Sequence, residues 1–576
     1  MMTGPETRWL IAPTDPAAEP LARRLGLLPI TAQVLVNRGI RDEAAARRML
    51  RPDLNDLVDP FAHPEMQAAA ERLALAVERG ERVVVYGDYD VDGISATAIL
   101  MRCLKLLGVD AHFYIPDRIE EGYGLNAAAI RGLAAEGTGL LVTVDCGISA
   151  AAEVALAREL GMDVVVTDHH EPGERVPAGA ILVNPKLAGC AYAYRDLSGA
   201  GLSFKLAWAL GKRMAGGERV APAFRDFLMD AVSLAALGTI ADVVPLQGEN
   251  RVLAHYGLRA LTTSALPGIV ALRKAASVTG DVGAFDVGFK MAPRINAAGR
   301  LGSAVQAVEL LTTDDPARAE QIVAHLNREN TRRQKLQEQI LLEAREMVDG
   351  EGGVEGRHAI VLAREGWHAG VIGIVASRLA ESYCRPTILL SIDGGYGQGS
   401  ARSFGSLHLF DTLQRCAARL TGFGGHARAA GLRLLQSEIA PFREEFERAA
   451  SECLRAEDLA PEVAVDAEVR LSDVTRPLLD QLETLAPFGE GNREPLLSAT
   501  GIRLPSGVNR MGQAGRHLSF WVNQDGVAFR AVAFGREDWA DRLHGCSSCR
   551  IAFVPRLNRW QGNTRLELDV RDVKVE

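Results

Sequence analysis

From Val83 onward the chain alternates short β-branched runs with longer stretches of helical period. Val83-Val84-Val85-Tyr86 has no polar position, which suits a strand buried on both faces. Residues 96–107 read as a helix, 111–115 as a strand, 127–133 as a helix, 140–144 as a strand and 150–160 as a helix. Strands continue at 164–166 and 181–183, and helices at 202–214 and 224–237. Alternation at this spacing predicts a parallel, doubly wound sheet.

Residues 314–348 lack glycine and carry proline only at Pro316. Ile322, Leu326, Leu336, Ile340 and Leu341 mark one face there, so a long connecting helix is expected, dividing two lobes. A second α/β segment opens at Ala359-Ile360-Val361-Leu362 and runs to residue 455. From residue 465 the pattern is β-like with turn residues throughout. Residues 1–65 are punctuated by Pro and Arg and show no chemistry.

A length of 576 residues exceeds one hydrophobic core and predicts three or four domains. No apolar run approaches the roughly 20 residues that span a bilayer. The first twenty residues mix Asp, Glu and Arg with Pro and Ala, unlike a secretory signal, so a cytoplasmic location without membrane contact is expected. The net charge of −9 excludes a uniformly basic coat but not a local basic patch. Of 64 basic residues only 8 are Lys, so a single Arg is weak evidence for phosphate recognition. Of the eight cysteines only Cys546 and Cys549 form a CxxC, with no second pair at zinc-ribbon spacing. Reduced, mostly buried thiols are expected.

The chemistry lies where acidic and histidine side chains fall on the predicted sheet. Asp88, Asp90 and Asp92 follow the strand at Val83, Asp145 ends the strand at Val142, and Asp168, His169 and His170 end the strand at Val164. In open parallel sheets, ligands bind beyond the carboxyl ends of the strands. Carboxylates crowded there repel one another unless a cation compensates, which predicts a metal site. Asp/His ligation without Cys suits Mn²⁺ or Mg²⁺ better than Zn²⁺. The ligands outnumber the needs of one ion, and two ions roughly 3.5–4 Å apart would serve an in-line phosphoryl displacement.

Other chemistries fit less well. Asp88-x-Asp-x-Asp-Gly93 matches the start of an EF-hand loop, but position twelve is Ile99 where a bidentate Glu is required. A lone Asp-Gly is ordinarily a turn and a lone His-His ordinarily surface; their meeting at successive strand ends makes them informative. The chain has neither a P-loop nor a Gly-x-Ser-x-Gly nucleophile elbow.

Gly-Asp-Tyr-Asp-Val-Asp-Gly at 87–93, Val-Asp-Cys-Gly at 144–147, Asp-His-His at 168–170 and Ala-Asp-Val-Val-Pro-Leu at 241–246 resemble the four motifs of the DHH phosphoesterases. Their order and spacing resemble the RecJ family within that group. The resemblance implies metal ligation by Asp90, Asp92, Asp145, His169 and Asp242. Asp88 and His170 would stand in or beside the first shell, with Asp168 orienting the histidines. Pattern alone does not select Asp242, which ends a helical run and otherwise reads as a turn.

Gly366-Trp-His-Ala-Gly-Val-Ile-Gly373, Gly399-Ser-Ala-Arg-Ser403 and Gly424-Gly-His-Ala427 resemble the DHH-associated domain. Glycines let backbone N–H groups approach a phosphate, and Ser and Arg complete such a nest. The resemblance implies a 5′-phosphate and backbone site of Ser400, Arg402, Gly425 and His426, with Arg118 and Arg300 from the first lobe. The last region resembles an OB-fold; residues 501–576 hold 12 basic and 8 acidic residues in an otherwise acidic chain. Arg556 and Trp560 there are candidates for backbone neutralisation and base stacking, with a barrel core as the other reading of Trp560.

The expected fold is α/β: two α/β lobes joined by a long helix, plus a C-terminal β-barrel OB-fold. The expected divisions are an N-terminal segment 1–65, a DHH catalytic domain 66–313, a connecting helix 314–350, a DHH-associated domain 351–460 and an OB-fold 461–576. The expected activity is a single-strand-specific 5′-to-3′ exonuclease with two Mn²⁺ or Mg²⁺ ions, releasing mononucleotides in DNA repair and recombination. A monomer is expected, and the resemblance further implies a single-strand-binding protein and a helicase as partners. The alternatives are a DHH phosphoesterase acting on small nucleotides or short oligonucleotides, and a non-catalytic DNA-binding relative.

Overall fold

The computed structural model describes residues 7–118, 120–512, 515–560 and 563–576, the side chains of Arg559, Trp560 and Asn563 excepted. The chain divides into two units, one spanning Leu54–Leu459 and one that joins the described residues up to Asp53 with Ala460–Glu576.

The larger unit opens with five parallel strands: β1 (Val83–Gly87), β2 (Ala111–Tyr114), β3 (Leu140–Val144), β4 (Asp163–Thr167) and β5 (Ile181–Val183). Their order is β2-β1-β3-β4-β5. The order reverses between β1 and β3, so a crevice lies beyond their carboxyl ends. Both strands are buried along their length, as their unbroken apolar runs require. Val83, Val85 and Val142 pack with Ile94, Ala200 and Leu234 of three helices, Val91–Leu106, Gly199–Ala215 and Pro222–Ala241. The opposite sheet face packs Val84, Tyr86 and Leu141 against Ile130 and Val154.

Local signals start these helices. The Asp90 carboxylate accepts from the N–H of Asp92 at 2.9 Å and of Gly93 at 3.1 Å, and Ser198 Oγ accepts from Gly201 N–H at 3.0 Å. Pro222 occupies the first turn of the third, where its missing N–H costs nothing.

The connecting helix runs over Pro316–Gly350, 35 residues capped by Asp315. At 1.5 Å per residue it is about 52 Å long. Ile322, Val323 and Leu326 belong to the first lobe's core, and Ile340, Ala344 and Val348 to the second's. The second lobe has five strands, β6 (Ile360–Glu365), β7 (Thr387–Asp393), β8 (Tyr396–Arg402), β9 (Gly422–Gly425) and β10 (Ala429–Leu435), ordered β9-β10-β8-β7-β6. Only the β6–β7 pair is parallel.

In the smaller unit a seven-stranded mixed sheet curls back on itself. Arg503 and Asn523 exchange backbone hydrogen bonds of 2.9 Å between strands that are not neighbours in the sheet. Residues 8–50 pack with the C-terminal region: Arg8–Ile11 pairs in parallel with Glu462–Val465, and Leu21, Val34 and Leu35 share a core with Leu478, Ile551 and Phe553. Five of the eight cysteines are buried, and no disulfide forms. Among the described residues no helix is long and apolar enough to cross a membrane.

Candidate active site

Three strand ends and one helix end converge. Asp88 and Asp90 follow β1, with Asp92 in the first turn of the helix beyond; Asp145 follows β3, Asp168, His169 and His170 follow β4, and Asp242 caps the helix Pro222–Ala241. Asp88, Asp90 and Asp145 bring oxygens within 4.8 Å of one another. So do the ligand atoms of Asp92, His169 and Asp242, and those of Asp145, His169 and His170. Asp145 belongs to two of the three triads and His169 to two, so these residues stand at the centre.

His169 Nε2 lies 3.0 Å from Asp145 Oδ1, 3.5 Å from Asp242 Oδ2 and 3.8 Å from Asp92 Oδ2. The approach to Asp145 lacks hydrogen-bond alignment. Asp88 Oδ1, Asp145 Oδ1 and His169 Nε2 are all buried without a hydrogen-bond partner. Each such orphan costs about 1–3 kcal/mol or more when charged, so three facing one another are poor protein interior and good cation ligands. Asp145 sits at φ 61° and Val243, next to Asp242, also at φ 61°. Left-handed backbone costs a non-glycine residue about 1–3 kcal/mol and gathers at functional sites.

The surrounding backbone holds the cluster in place. Asp92, wholly buried, accepts from the N–H of Gly199 at 2.6 Å and of Ala200 at 2.9 Å, at the start of a helix. Asp168 accepts from Ile148 N–H at 2.9 Å, from His170 N–H at 3.0 Å and from His170 Nδ1 at 2.7 Å. Asp168 thus orients His170, the second histidine, directly. Burial, then the neighbouring carboxylates, pushes Asp88 and Asp145 well above the usual carboxylate range. The same causes push Asp92 up to about 7 and Asp242 up to about 9. Burial and the charge of His170 push His169 down to about 3, so its imidazole is neutral and free to ligate. Burial opposes the charge on His170, but the Asp168 hydrogen bond and charge outweigh it and raise His170 to about 9.

Beside the acidic cluster stands a basic one. Arg300 donates to Gly370 O at 3.1 Å, and Arg402 donates to Ser377 Oγ at 3.0 Å and Ser400 Oγ at 3.1 Å. Burial, then the charges of Arg118, Arg333 and Arg402, pushes Arg300 down to about 9. Among the described residues none of these four arginines forms an ion pair with a carboxylate. Crowded, unpaired guanidinium groups call for an anion with several oxygens. Arg118 also stacks over Tyr89, 5.0 Å from its ring centre. Gly425 and His426 lie at the turn between β9 and β10, where Ala429 pairs with Arg402.

One smaller-unit residue comes out differently. Arg556 is held by Glu494 at 2.8 Å and Asp569 at 2.9 Å, so its charge is balanced within its own unit. The Trp560 side chain lies outside the described residues.

The structure adds neighbours that pattern did not suggest. Tyr123 donates toward Asp145 O at 3.3 Å and lies 3.3 Å from His170 Nδ1. Asn296 Oδ1 accepts from Val91 N–H at 3.1 Å. A Cβ at Gly199 would lie 2.6 Å from Asp145 Oδ1, and one at Gly238 2.3 Å from Asp92 Oδ1. The Gly-Ala-Gly run at 199–201, opening a helix, was the one visible sign of such a close approach.

An open parallel sheet whose switch point carries a carboxylate–imidazole cluster, followed by a second lobe with an arginine pocket, defines a two-lobed protein of the DHH type. Residues 82–238 match the DHH family N-terminal domain, 356–452 the DHHA1 domain and 465–572 the RecJ OB domain. The chain is 37% identical over its whole length to the single-stranded-DNA-specific exonuclease RecJ of Bacillus subtilis, covering 72% of that protein. It is 36% identical to RecJ of Thermus thermophilus, over 98% of this chain and 78% of that one. The crystal structure of Thermus thermophilus RecJ in complex with Mn²⁺ superposes with a TM-score of 0.85 at 34% identity, covering 99% of this chain and 80% of that one. The Mg²⁺ complex gives 0.78 at 32% identity, with 99% and 79% covered. The chain belongs to the RecJ family of single-stranded-DNA-specific exonucleases.

Proposed function

We propose that this chain degrades single-stranded DNA from its 5′ end, releasing mononucleotides with the help of two Mn²⁺ or Mg²⁺ ions. The observation that carries this reading is the trio of buried, unpartnered atoms, Asp88 Oδ1, Asp145 Oδ1 and His169 Nε2, beside an arginine pocket. Asp90, Asp92, Asp145, His169 and Asp242 would hold the ions, with Asp88 and His170 beside them. Bound divalent cations lower the pKa of an attacking water and neutralise charge on the phosphate.

The chain's own residues do the rest. Asp145, common to the Asp88/Asp90 and the His169/His170 triads, offers a carboxylate to each. Asp92, held by the Gly199 and Ala200 N–H groups, and His170, held by Asp168, are fixed before substrate arrives. Arg118, Arg300, Ser400 and Arg402, with Gly425 and His426, bind the 5′ phosphate, and a strand end stopped there sets the 5′-to-3′ polarity. The divisions 66–313, 314–350 and 351–460 serve as catalytic lobe, connector and phosphate-binding lobe, and the OB region holds the strand.

The same reading makes the protein a cytoplasmic monomer of DNA repair and recombination, working with a single-strand-binding protein and a helicase. The test is Asp145→Ala: hydrolysis is lost while single-strand binding survives. Turnover retained in metal-replete buffer would contradict the assignment.

A further inference from the structure

Phe285 and Phe289 are 63% and 72% exposed, the two most exposed phenylalanines among the described residues. Their rings stack, centroids 4.8 Å apart and planes 24° from parallel. An exposed aromatic pair has no use in a core and marks an interaction surface.

Its position says what kind. Phe285 and Phe289 precede and enter a single π-helical turn, Val287–Met291, that continues into the helix Ala292–Leu301. Pro293 accounts for the wide turn: it has no N–H for the Phe289 carbonyl, and its ring crowds that carbonyl. Along the continuous helix, Phe285, Phe289, Pro293, Asn296 and Arg300 recur at steps of three and four, the two rings exposed and the other three residues half-buried. Val287, Met291, Ile295 and Ala298 form the buried side. The stripe, exposed at its two rings, ends in the active site, where Asn296 holds the Val91 N–H and Arg300 stands in the arginine pocket. The same helical segment carries Lys290 and Arg294; Lys290 is paired with Asp286, whereas Arg294 bonds to Asn327 and has no carboxylate partner among the described residues. An aromatic face beside an unpaired cation, continuous with a phosphate pocket, matches the needs of an unpaired polynucleotide.

We propose that Phe285 and Phe289 are a base-stacking platform for the single strand, several nucleotides downstream of the 5′ end held at Arg300. This rests on the function proposed above. Phe289 and Arg300 are eleven positions apart, about 16 Å along a helix. That is the length of about five stacked nucleotides at about 3.4 Å each. The platform therefore favours strands longer than about five nucleotides and works through bases, not phosphates.

The experiment compares kcat/KM with Mn²⁺ on 5′-phosphorylated oligothymidylates of four and twelve nucleotides, for the full-length wild type, the double variant Phe285→Leu/Phe289→Leu and the double variant Phe285→Trp/Phe289→Trp. Stacking predicts that the twelve-mer's advantage shrinks about tenfold or more in the Leu variant and persists in the Trp variant. A twelve-mer made abasic at positions four to seven should lose the same advantage on the wild type and lose no more on the Leu variant. An unchanged advantage in the Leu variant overturns the platform, and so does equal loss in both variants, which marks an apolar protein-docking patch or a shape requirement instead. A wild type that cleaves neither oligonucleotide removes the proposed function itself, an outcome distinct from failure of the platform alone.

Discussion

Asp168 grips His170 twice, through the backbone N–H at 3.0 Å and through Nδ1 at 2.7 Å, inside a site where the adjacent His169 faces Asp145. Two neighbouring histidines thereby take opposite charge states, one raised to about 9 and one lowered to about 3. Asp168→Asn removes the charge that sustains the first. His170 is raised above its unfolded value, so the stability it gains from Asp168 is full below about pH 6.5 and lost as pH rises through about 9. Melting curves of metal-free wild type and variant should differ most near pH 6 and converge above pH 9. A gap that widens with pH would contradict the pairing.

Asp92 and Asp242, raised to about 7 and about 9, predict a slope of the same sign for the metal-free fold. Carboxylates whose folded pKa lies above the unfolded value bind extra protons when folded, so stability falls as pH climbs through that window. A divalent cation replaces those protons. The rise in melting temperature on adding Mn²⁺ should therefore be larger at pH 9 than at pH 6. Equal shifts at both would mean that these carboxylates do not share the ion.

Gly199 and Gly238 leave room that the acids fill. Gly199→Ala would put a methyl group 2.6 Å from Asp145 Oδ1. A displacement near 1 Å in a catalytic array costs on the order of 10²-fold in rate. We expect that loss in kcat/KM with Mn²⁺ present, at a melting temperature near wild type. Full activity would show that Asp145 has freedom to spare.

Arg402 bonds to Ser400 and Ser377, with no carboxylate paired to it among the described residues. Losing a charged hydrogen bond to phosphate costs about 1.5–3 kcal/mol, roughly 10- to 100-fold. Arg402→Ala should raise KM by that factor on 5′-phosphorylated strands and much less on 5′-hydroxyl strands. An equal effect on both would place the arginine along the backbone path instead of at the strand's end.

Much of this was legible before any coordinates. The strands Val83–Gly87 and Leu140–Val144 fall where the apolar runs put them, because a strand buried on both faces leaves a continuous apolar signature. Asp90, Asp145 and His169 meet because strand ends of a parallel sheet share one edge. Long-range pairings were silent. Nothing near Arg8–Ile11 announces Glu462–Val465 as its partner, more than 450 residues away, so the pattern assigns residues 1–65 only as an N-terminal segment. Arg556 looked available because its acids, Glu494 and Asp569, come from distant positions. Tyr123 reaches the site from a loop, where no periodicity marks a side chain's direction.

The most direct measurement is anomalous diffraction from crystals of this protein soaked in Mn²⁺. Two peaks roughly 3.5–4 Å apart are predicted, with Asp145 touching both and His169 one. A single peak, or density away from Asp90, Asp145 and His169, would contradict a shared two-ion centre.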